Sequence, residues 1–482
     1  MSTAHSLAHE ADRGPSIVGR LERLEVWSLS WSFVAIIGLG FLFTFYDIFD
    51  INVSFIQSCV ALKPGCTPEN ALDALRLPVV LNLVGYVIGT LVLSPFADRI
   101  GRRNMLLITM LLTGIGSLYN ALAPDYANFV AARVVTGLGI GADLAIVNTY
   151  INEVAPRRSR AKFTTLIFIM SALGALVGIW LGLILTTPAT AWPLGLPFAQ
   201  AGPSFEIGWR WMYGIGAVLA LVAVLLRIEL PESPRWLIGQ RRYDDAEAIV
   251  LDMEQRAARR GTLDEPVTDL PQEVAQPPAR VPYRDLFGHP LYLRRILLLF
   301  ALWFIGYITV YSYASGFTSV LSALKYPPPA AGVIAAVGTF GFVAAAIIMT
   351  FIVELLERRH WLPIAAVVTL IGAALVATAG TTIIVAFLGA ALIFAGFNLW
   401  VSPTYALSAE SFPTRARTTG FALVDGVGHI GGGIGVLVIA PYLPKMSTLG
   451  ALMLVSSFLV VAAIIAQFTP RTRNRHLDRI SP

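Results

Sequence analysis

Charge is what this 482-residue sequence lacks. Only 13% of its residues are Asp, Glu, Lys or Arg, against about 25% in a typical soluble domain. So little charge cannot cover the surface of a water-soluble protein of this length. A 56% hydrophobic composition and a mean hydropathy of +0.69 exclude a disordered chain as well. Cysteine is nearly absent, Cys59 and Cys66 being the two residues present, and no cysteine–histidine cluster has the spacing of metal ligands. No G-x-x-x-x-G-K-[ST] loop is there to cradle nucleotide phosphates, and there is no H-E-x-x-H or nucleophile motif. No cofactor, metal or enzymatic role is therefore expected. The first thirty residues are polar, end in the basic Arg20 and Arg23 region, and lack a short apolar core with a cleavage site, so no cleaved signal peptide is expected.

What is present is a succession of apolar runs. A bilayer-spanning helix takes about 20 apolar residues, so a dozen would use roughly 240 to 270 residues, half the chain. Runs of that length fall at 31–55, 78–97, 104–123, 127–152, 162–187 and 209–228, then at 295–321, 330–353, 361–379, 381–408, 418–440 and 447–468. The spacing predicts an all-α polytopic membrane protein of twelve transmembrane helices in two groups of six. The expected units are an N-terminal segment at 1–30, a first bundle at 31–228, a central loop at 229–294, a second bundle at 295–468 and a tail at 469–482. Within the central loop, Arg241 to Arg260 reads as a charged surface helix and Glu265 to Pro282 as a Pro-rich linker.

A net charge of +5 need not mean nucleic-acid binding, because the arginines sit in short runs between apolar segments, where they orient a membrane protein. One side collects Arg99, Arg102, Arg103, Arg157, Arg158, Arg160, Lys162, Arg358, Arg359, Arg415, Arg417 and the tail arginines. The other keeps only Lys63, Arg76, Arg210, Lys325 and Lys445. Both termini are expected in the cytoplasm of a cell whose plasma membrane holds the chain. The halves also repeat: Glu153-Val-Ala-Pro156-Arg-Arg-Ser-Arg160 and Glu410-Ser-Phe-Pro413-Thr-Arg-Ala-Arg417 both read E-x2-P-x3-R after the fourth span of their half. Internal repetition of this kind marks a two-bundle transporter.

Three motifs in order give a family resemblance. Asp98-Arg99-Ile-Gly101-Arg102-Arg103 follows the second span, with Ser94 where a leading glycine usually stands. Arg133-Val-Val-Thr-Gly137-Leu-Gly139-Ile-Gly141 lies in the fourth, and Pro231-Glu232-Ser233-Pro234-Arg235-Trp236-Leu237 follows the sixth. On these the sequence resembles the major facilitator superfamily, in its sugar-porter-like branch. It lacks the P-E-T-K-G tail and the paired glutamines of hexose porters. Tyr46-Asp47-Ile-Phe-Asp50-Ile-Asn52 and Gly426-Val-Gly-His429-Ile-Gly-Gly432 look more like the organic-acid and metabolite:proton symporters, many of which have Arg or Lys where this chain has His429. The resemblance implies alternating access around a central site. It also implies proton coupling through an aspartate of the first span with the arginine of the fourth, and a gate built from the motif loops. Asp98, Arg99, Gly101, Arg102, Arg103, Glu153, Arg160, Glu232, Arg235, Glu410 and Arg417 are the gate residues this carries over.

An ionisable residue within a span is a functional candidate because it costs several kcal/mol there unless paired or wetted. Asp47 lies about 22 Å along the first helix and Arg133 about 10 Å into the oppositely running fourth, depths that allow a pair. Such a pair either couples transport to protons or holds two helices statically. Asp50 is three residues on, a second coupling residue or part of the outer entrance. Asp143 sits near mid-membrane and is a candidate substrate contact. Asp425 and His429, at i and i+4, are expected on one face as a carboxylate–imidazole pair that binds an anion pH-dependently, or as a packing pair. Tyr307, Tyr311 and Asn398, with Asn82, Tyr86 and Tyr405, complete a pocket or the core around it. Gly137-Leu-Gly139-Ile-Gly141-Ala142 nominally fits a dinucleotide fingerprint, but no strand precedes it. Gly137 with Gly141, Gly85 with Gly89 and Gly174 with Gly178 read as faces for tight helix contact. Cys59 and Cys66 are either a disulfide or two thiols.

The expected activity is proton-coupled symport of a small organic anion, an aromatic or carboxylic acid, by a monomer in the lipid bilayer with no nucleic-acid partner. Sugar, phosphate or organic-cation transport and drug export are the alternatives within the fold, and a non-transporting sensor or receptor is the alternative outside it.

Overall fold

The computed structural model describes residues 13–25, 28–67, 71–156, 158–202, 205–261, 263–268, 282–314, 316–323, 326, 328–380 and 382–481. Arg157, Lys325 and most of the Pro-rich linker lie outside them.

A short helix at 13–22 (α1) precedes the spans. The first six spans are α2 (Trp31–Leu62), α3 (Ala71–Ile100), α4 (Arg102–Leu122), α5 (Tyr126–Val154), α6 (Arg160–Thr186) and α7 (Gly208–Arg227). The central loop carries α8 (Pro234–Gly239), α9 (Tyr243–Ala258) and α10 (Pro282–Gly288). The second half has α11 (Pro290–Ala314), the short α12 (Phe317–Ala323), α13 (Pro328–Ile352), α14 (Trp361–Thr378) and α15 (Ile383–Glu410). Its eleventh span, Thr414–Ile439, is broken into α16 (Arg417–Phe421) and α17 (Ile430–Ile434), with π-helical segments at Ala422–Gly426 and Gly435–Ile439. The chain closes with α18 (Thr448–Ala466) and α19 (Leu477–Ile480). Twelve of these helical stretches are long and apolar enough to cross a membrane.

Local chemistry starts the helices where they start. Ser30 accepts from the Ser32 amide at 3.2 Å, Asp125 from Asn128 at 2.8 Å and Ser447 from Gly450 at 3.1 Å, each capping a free N-terminal N–H. Gly101 turns α3 into α4 at φ +105°, a conformation closed to most side chains, and a Cβ there would also run into the Glu232 carboxylate.

Small residues then set which helices touch. Gly85 and Gly89 of α3 lie against the backbone of Val134 and Leu138, and Gly137 and Gly141 of α5 against that of Asn82 and Tyr86. Gly174 brings α6 equally close to α2 at Leu42, and Gly178 lies beside Tyr46 with more room. In lipid, where tails are as apolar as leucine, such close backbone approach is what drives helices together. The result is two six-helix bundles, α2–α7 and α11–α18, meeting chiefly along α6 with α13 and α15 and along α3 with α16 and α17. Leu111, Ile115, Leu118, Leu221, Leu225, Ile348 and Phe351 stay exposed on the outer surface, as a lipid-facing rim requires.

The bundles touch at both ends. At the end carrying Cys59, Asn52 Nδ2 donates to the Ala314 carbonyl at 2.6 Å and Trp180 Nε1 to that of Ala336 at 3.1 Å. Cys59 and Cys66 form a disulfide there, with Cα atoms 5.9 Å apart. The opposite, arginine-rich end is closed by charge.

Candidate functional site

The buried charges fall into four groups. The first lies between the bundles. Asp425, on the π-helical segment of the eleventh span, is fully buried. Its Oδ2 accepts from the Tyr86 hydroxyl of α3 at 3.2 Å, and Oδ1 accepts a closer bond from Tyr307 of α11. The Tyr307 and Tyr405 hydroxyls are 3.3 Å apart. No cationic side chain pairs with Asp425 among the described residues. His429 lies against the rings of Tyr86 and Tyr307, with centroids 3.8 and 3.9 Å away, and Tyr311 stands edge-on at 5.5 Å. Glycines at 426, 428, 431 and 432 let this span in: a Cβ at any of them would overlap Thr90, Trp303, Phe304 or Tyr311.

The expected Asp425–His429 side-chain pair is corrected here. His429 Nδ1 bonds the Asp425 backbone carbonyl at 2.8 Å, so that nitrogen carries the hydrogen, and the carboxylate points to the tyrosines instead. The two residues still share a face, as i and i+4 residues do: the His429 amide bonds the Asp425 carbonyl at 3.2 Å, and both side chains meet Tyr86 and Tyr307. Asn398 is two turns from Tyr405 on α15, buried, with no hydrogen-bond partner for its amide N or O among the described residues. Trp400 Nε1 is likewise buried without a partner. Trp303, Trp400 and Phe168 pack around the tyrosines and were not singled out from the sequence, because an aromatic within an apolar run carries no local signal of its neighbours.

The second group is internal to the first bundle. Arg133 Nη1 is 3.2 Å from Asp47 Oδ2 and 3.8 Å from Asp50 Oδ1. Ser117 adds a bond to Asp47 Oδ1 at 3.3 Å, and among the described residues no side chain donates to Asp50. The guanidinium also sits 6.0 Å over the Tyr213 ring.

Asp143 forms the third group and is not brought to the central cluster. Its carboxylate pairs with Arg227 at the end of α7, at 2.5 and 3.1 Å, and accepts from Thr109 at 2.9 Å. Gly40 of α2 leaves the space the guanidinium fills. Asp143 is held within the first bundle, on the α4 and α7 side of α5.

The fourth group closes the arginine-rich end. Arg102 is 3.1 Å from Asp98 and 2.9 Å from Glu153, and reaches across to the Thr414 carbonyl at 3.3 Å. Arg417 crosses from the second bundle to Glu153 at 3.5 Å. Asp98 Oδ2 accepts from both the amide and hydroxyl of Thr419, at 3.1 and 2.8 Å. Glu232 accepts from the amides of Arg102, at 2.9 Å, and Arg103. Burial raises its carboxyl above the ordinary range, while those amides and the Arg102 charge oppose the shift. Arg99 is exposed, and its carbonyl accepts from Gln240 at 3.3 Å.

The two E-x2-P-x3-R repeats supply ion pairs both within and between the bundles. Glu153 takes Arg102 and Arg417, Glu410 takes Arg358 at 3.5 Å, and Arg160 takes Glu22 at 3.3 Å. Spacing placed the charges at the right end; the helices' rotation chose their partners. Arg235 also pairs with Glu22, a residue the sequence gave no reason to single out.

With this geometry, two comparisons with curated relatives and one with a solved structure bear on identity. The niacin transporter NiaP of Acinetobacter baylyi is 25% identical over 480 residues, 96% of this chain and 99% of its own. The glucose transporter GlcP of Staphylococcus epidermidis is 27% identical over 83% of this chain and 86% of its own. The proton:xylose symporter XylE bound to 6-bromo-6-deoxy-D-glucose superposes with a TM-score of 0.73 at 20% identity, over 93% of this chain and 98% of that one, a likeness of fold. A family model described as "Sugar (and other) transporter" matches residues 31–482, all twelve spans. The chain therefore belongs to the sugar (and other) transporters of the major facilitator superfamily, which are secondary-active carriers working by alternating access and not enzymes.

Proposed function

We propose that the protein is a proton-coupled symporter of a small neutral polyhydroxylated compound, a sugar or cyclitol. In this reading it sits in the plasma membrane with both termini and the arginine-rich end in the cytoplasm. The lopsided arginine placement supports that orientation. Since one chain supplies both bundles and everything between them, a monomer holds the whole path.

The observation that carries the substrate class is Asp425, a buried carboxylate at the bundle interface met by tyrosine hydroxyls and by no cation. Such a group accepts hydrogen bonds from hydroxyls, whether of tyrosine or of a polyol. An organic anion would meet a like charge in a low-dielectric site with no guanidinium or ammonium to offset it. The names of the glucose and xylose carriers above agree with this reading.

A second reading, an aromatic monocarboxylate, is favoured by a different observation. His429 between Tyr86 and Tyr307 shows a slot in which planar rings stack, and NiaP, a niacin transporter, matches nearly the whole chain.

Uptake into proteoliposomes of glucose, xylose, myo-inositol, nicotinate and phosphate, with and without an inward pH gradient, separates the two. Accumulation of a polyol driven by the gradient is expected. Nicotinate uptake without any polyol uptake would overturn the first reading in favour of the second.

The charged end is the proposed cytoplasmic gate. Asp98→Asn removes a carboxylate that binds Thr419 across the bundles and Arg102 within its own. It is expected to raise labelling of a cysteine at Ser94 from the cytoplasmic side roughly tenfold, about 1.4 kcal/mol of population shift. An unchanged labelling rate would remove the gate assignment.

A further inference from the structure

The residues before the first span tie the motif residues Arg160 and Arg235 to the C-terminal tail. Glu22, at the end of α1, is 7% exposed and meets two arginines and a histidine at once. Its Oε1 is 3.3 Å from Arg160 Nη2 and in closer contact with Arg235 Nη2, and its Oε2 is 2.8 Å from His476 Nδ1. Arg160 opens α6 in the first bundle and Arg235 follows α7 on α8. His476 belongs to the stretch after α18, the last helix of the second bundle. Arg160 strengthens the link by donating to the Arg475 carbonyl at 2.9 Å.

Both sides of this junction are anchored. The tail is held to the second bundle by Glu357, which accepts from the amides of Thr472 and Arg473 at 3.1 Å each. Arg295 of α11 adds bonds to the Ile480 carbonyl and the Ser481 hydroxyl at 2.8 and 2.9 Å. On the other side, Arg20 and Arg23 of the N-terminal segment each reach Glu254 of α9 at 2.7 Å. Burial alone would push the Glu22 carboxyl up, but Arg235, His476 and Arg160 outweigh it and hold it well below the usual carboxylate range. The group therefore stays ionised at neutral pH, and its charge is permanently available to the junction.

We propose that Glu22 is a positioning residue of the transport cycle, a clasp that ties the two bundles together at the arginine-rich end and must part when that end opens. It acts beside the Arg102–Glu153–Arg417 network and through different chain segments: the N-terminal helix and the C-terminal tail. The clasp rests on the reading of this end as the cytoplasmic gate.

The test uses the full chain in inside-out vesicles with a membrane-impermeant maleimide. Cys59 and Cys66, being bonded to each other, do not compete. The reporter is Ser94→Cys, buried on α3 one turn from Asp98 and on the same face as Thr90, which packs against Gly426. Glu22→Gln should raise its labelling rate roughly tenfold, and Glu22→Asp, which keeps the charge, by less. His476→Gln removes one link while leaving Glu22 with both arginines. It should raise labelling in the same direction, and combining it with Glu22→Gln should add nothing further.

A second reporter, Thr318→Cys on α12 where that helix meets α2 at the far end, should label more slowly from the opposite side in the same variants. General loosening of the fold would speed both reporters and would overturn the clasp. If Asp98→Asn accelerates Ser94→Cys labelling and neither Glu22→Gln nor His476→Gln does, the gate stands and the clasp falls. If none of the three changes it, both fall.

Discussion

Replacing Arg227 by methionine, with Asp143 left in place, should destabilise the first bundle by about 3–5 kcal/mol, the usual cost of removing one partner from a buried ion pair. Both side chains are fully buried, joined by two bonds at 2.5 and 3.1 Å. Without the guanidinium, the carboxylate keeps one neutral donor, Thr109 at 2.9 Å. A hydroxyl bond between membrane helices is worth only about 0.6 kcal/mol on average, so it cannot stand in for the arginine. The double replacement Arg227→Met with Asp143→Leu removes the charge on both sides and refills the space with apolar volume. It should recover most of the lost stability. The measurement is thermal unfolding of the purified protein in detergent, followed by tryptophan fluorescence. The single variant is expected to unfold at a clearly lower temperature and the double variant near the parent. A double variant no better than the single would mean that the site binds something beyond its own partner. In that case the assignment of Asp143 to structure, and not to substrate, would be wrong.

That pair also shows what was legible in the sequence. Twelve apolar runs fixed the number and order of the spans, because in lipid a helix long enough to cross is the main way to satisfy the backbone. The run at 78–97 became α3 at Ala71–Ile100 because helical hydrogen bonding continues past the apolar stretch into polar ends. The glycine pairs were legible too, since small residues four apart have one obvious use. Partner choice was not. Asp143 stood out as an intramembrane acid, while Arg227, at the edge of its run, was not singled out; only the packing of α4, α5 and α7 brings them together. Helical spacing put Asp425 and His429 on one face but could not show that the carboxylate turns to Tyr86 and Tyr307 and leaves the imidazole to the backbone carbonyl. Glu22 was invisible for a simpler reason: its three partners are more than a hundred residues away, and a glutamate in a polar terminus looks like a solvated surface charge.

Substituting Asp50 by asparagine should abolish proton-driven accumulation while leaving substrate exchange largely intact, and the reason is a count of charges. Asp47 and Asp50 are buried beside a single guanidinium, so with both carboxylates ionised the cluster carries one uncompensated negative charge. An unpaired charge in the membrane interior costs about 3 kcal/mol or more, so the cluster is neutral when it holds one proton. Arg133 at 3.2 Å and Ser117 at 3.3 Å both serve Asp47, whereas Asp50 is 3.8 Å from the arginine with no side chain among the described residues donating to it. The geometry therefore makes Asp50 the better seat for that proton and Asp47 the arginine's standing partner. Tyr46 and Tyr213 beside the cluster are phenols, neutral at physiological pH. With asparagine at 50 the cluster is neutral without a proton, and turnover no longer carries one. Asp47→Asn instead takes away the arginine's nearest partner and should depress exchange as well as accumulation. A pH-sensitive dye trapped in the proteoliposomes reads the difference. The parent should acidify the lumen on substrate uptake, and Asp50→Asn should show counterflow with no acidification. Acidification at the parent's ratio in Asp50→Asn would place the proton elsewhere. Asp425 would then be the residue to test next, since it is the remaining buried acid of the interface with no cation beside it among the described residues.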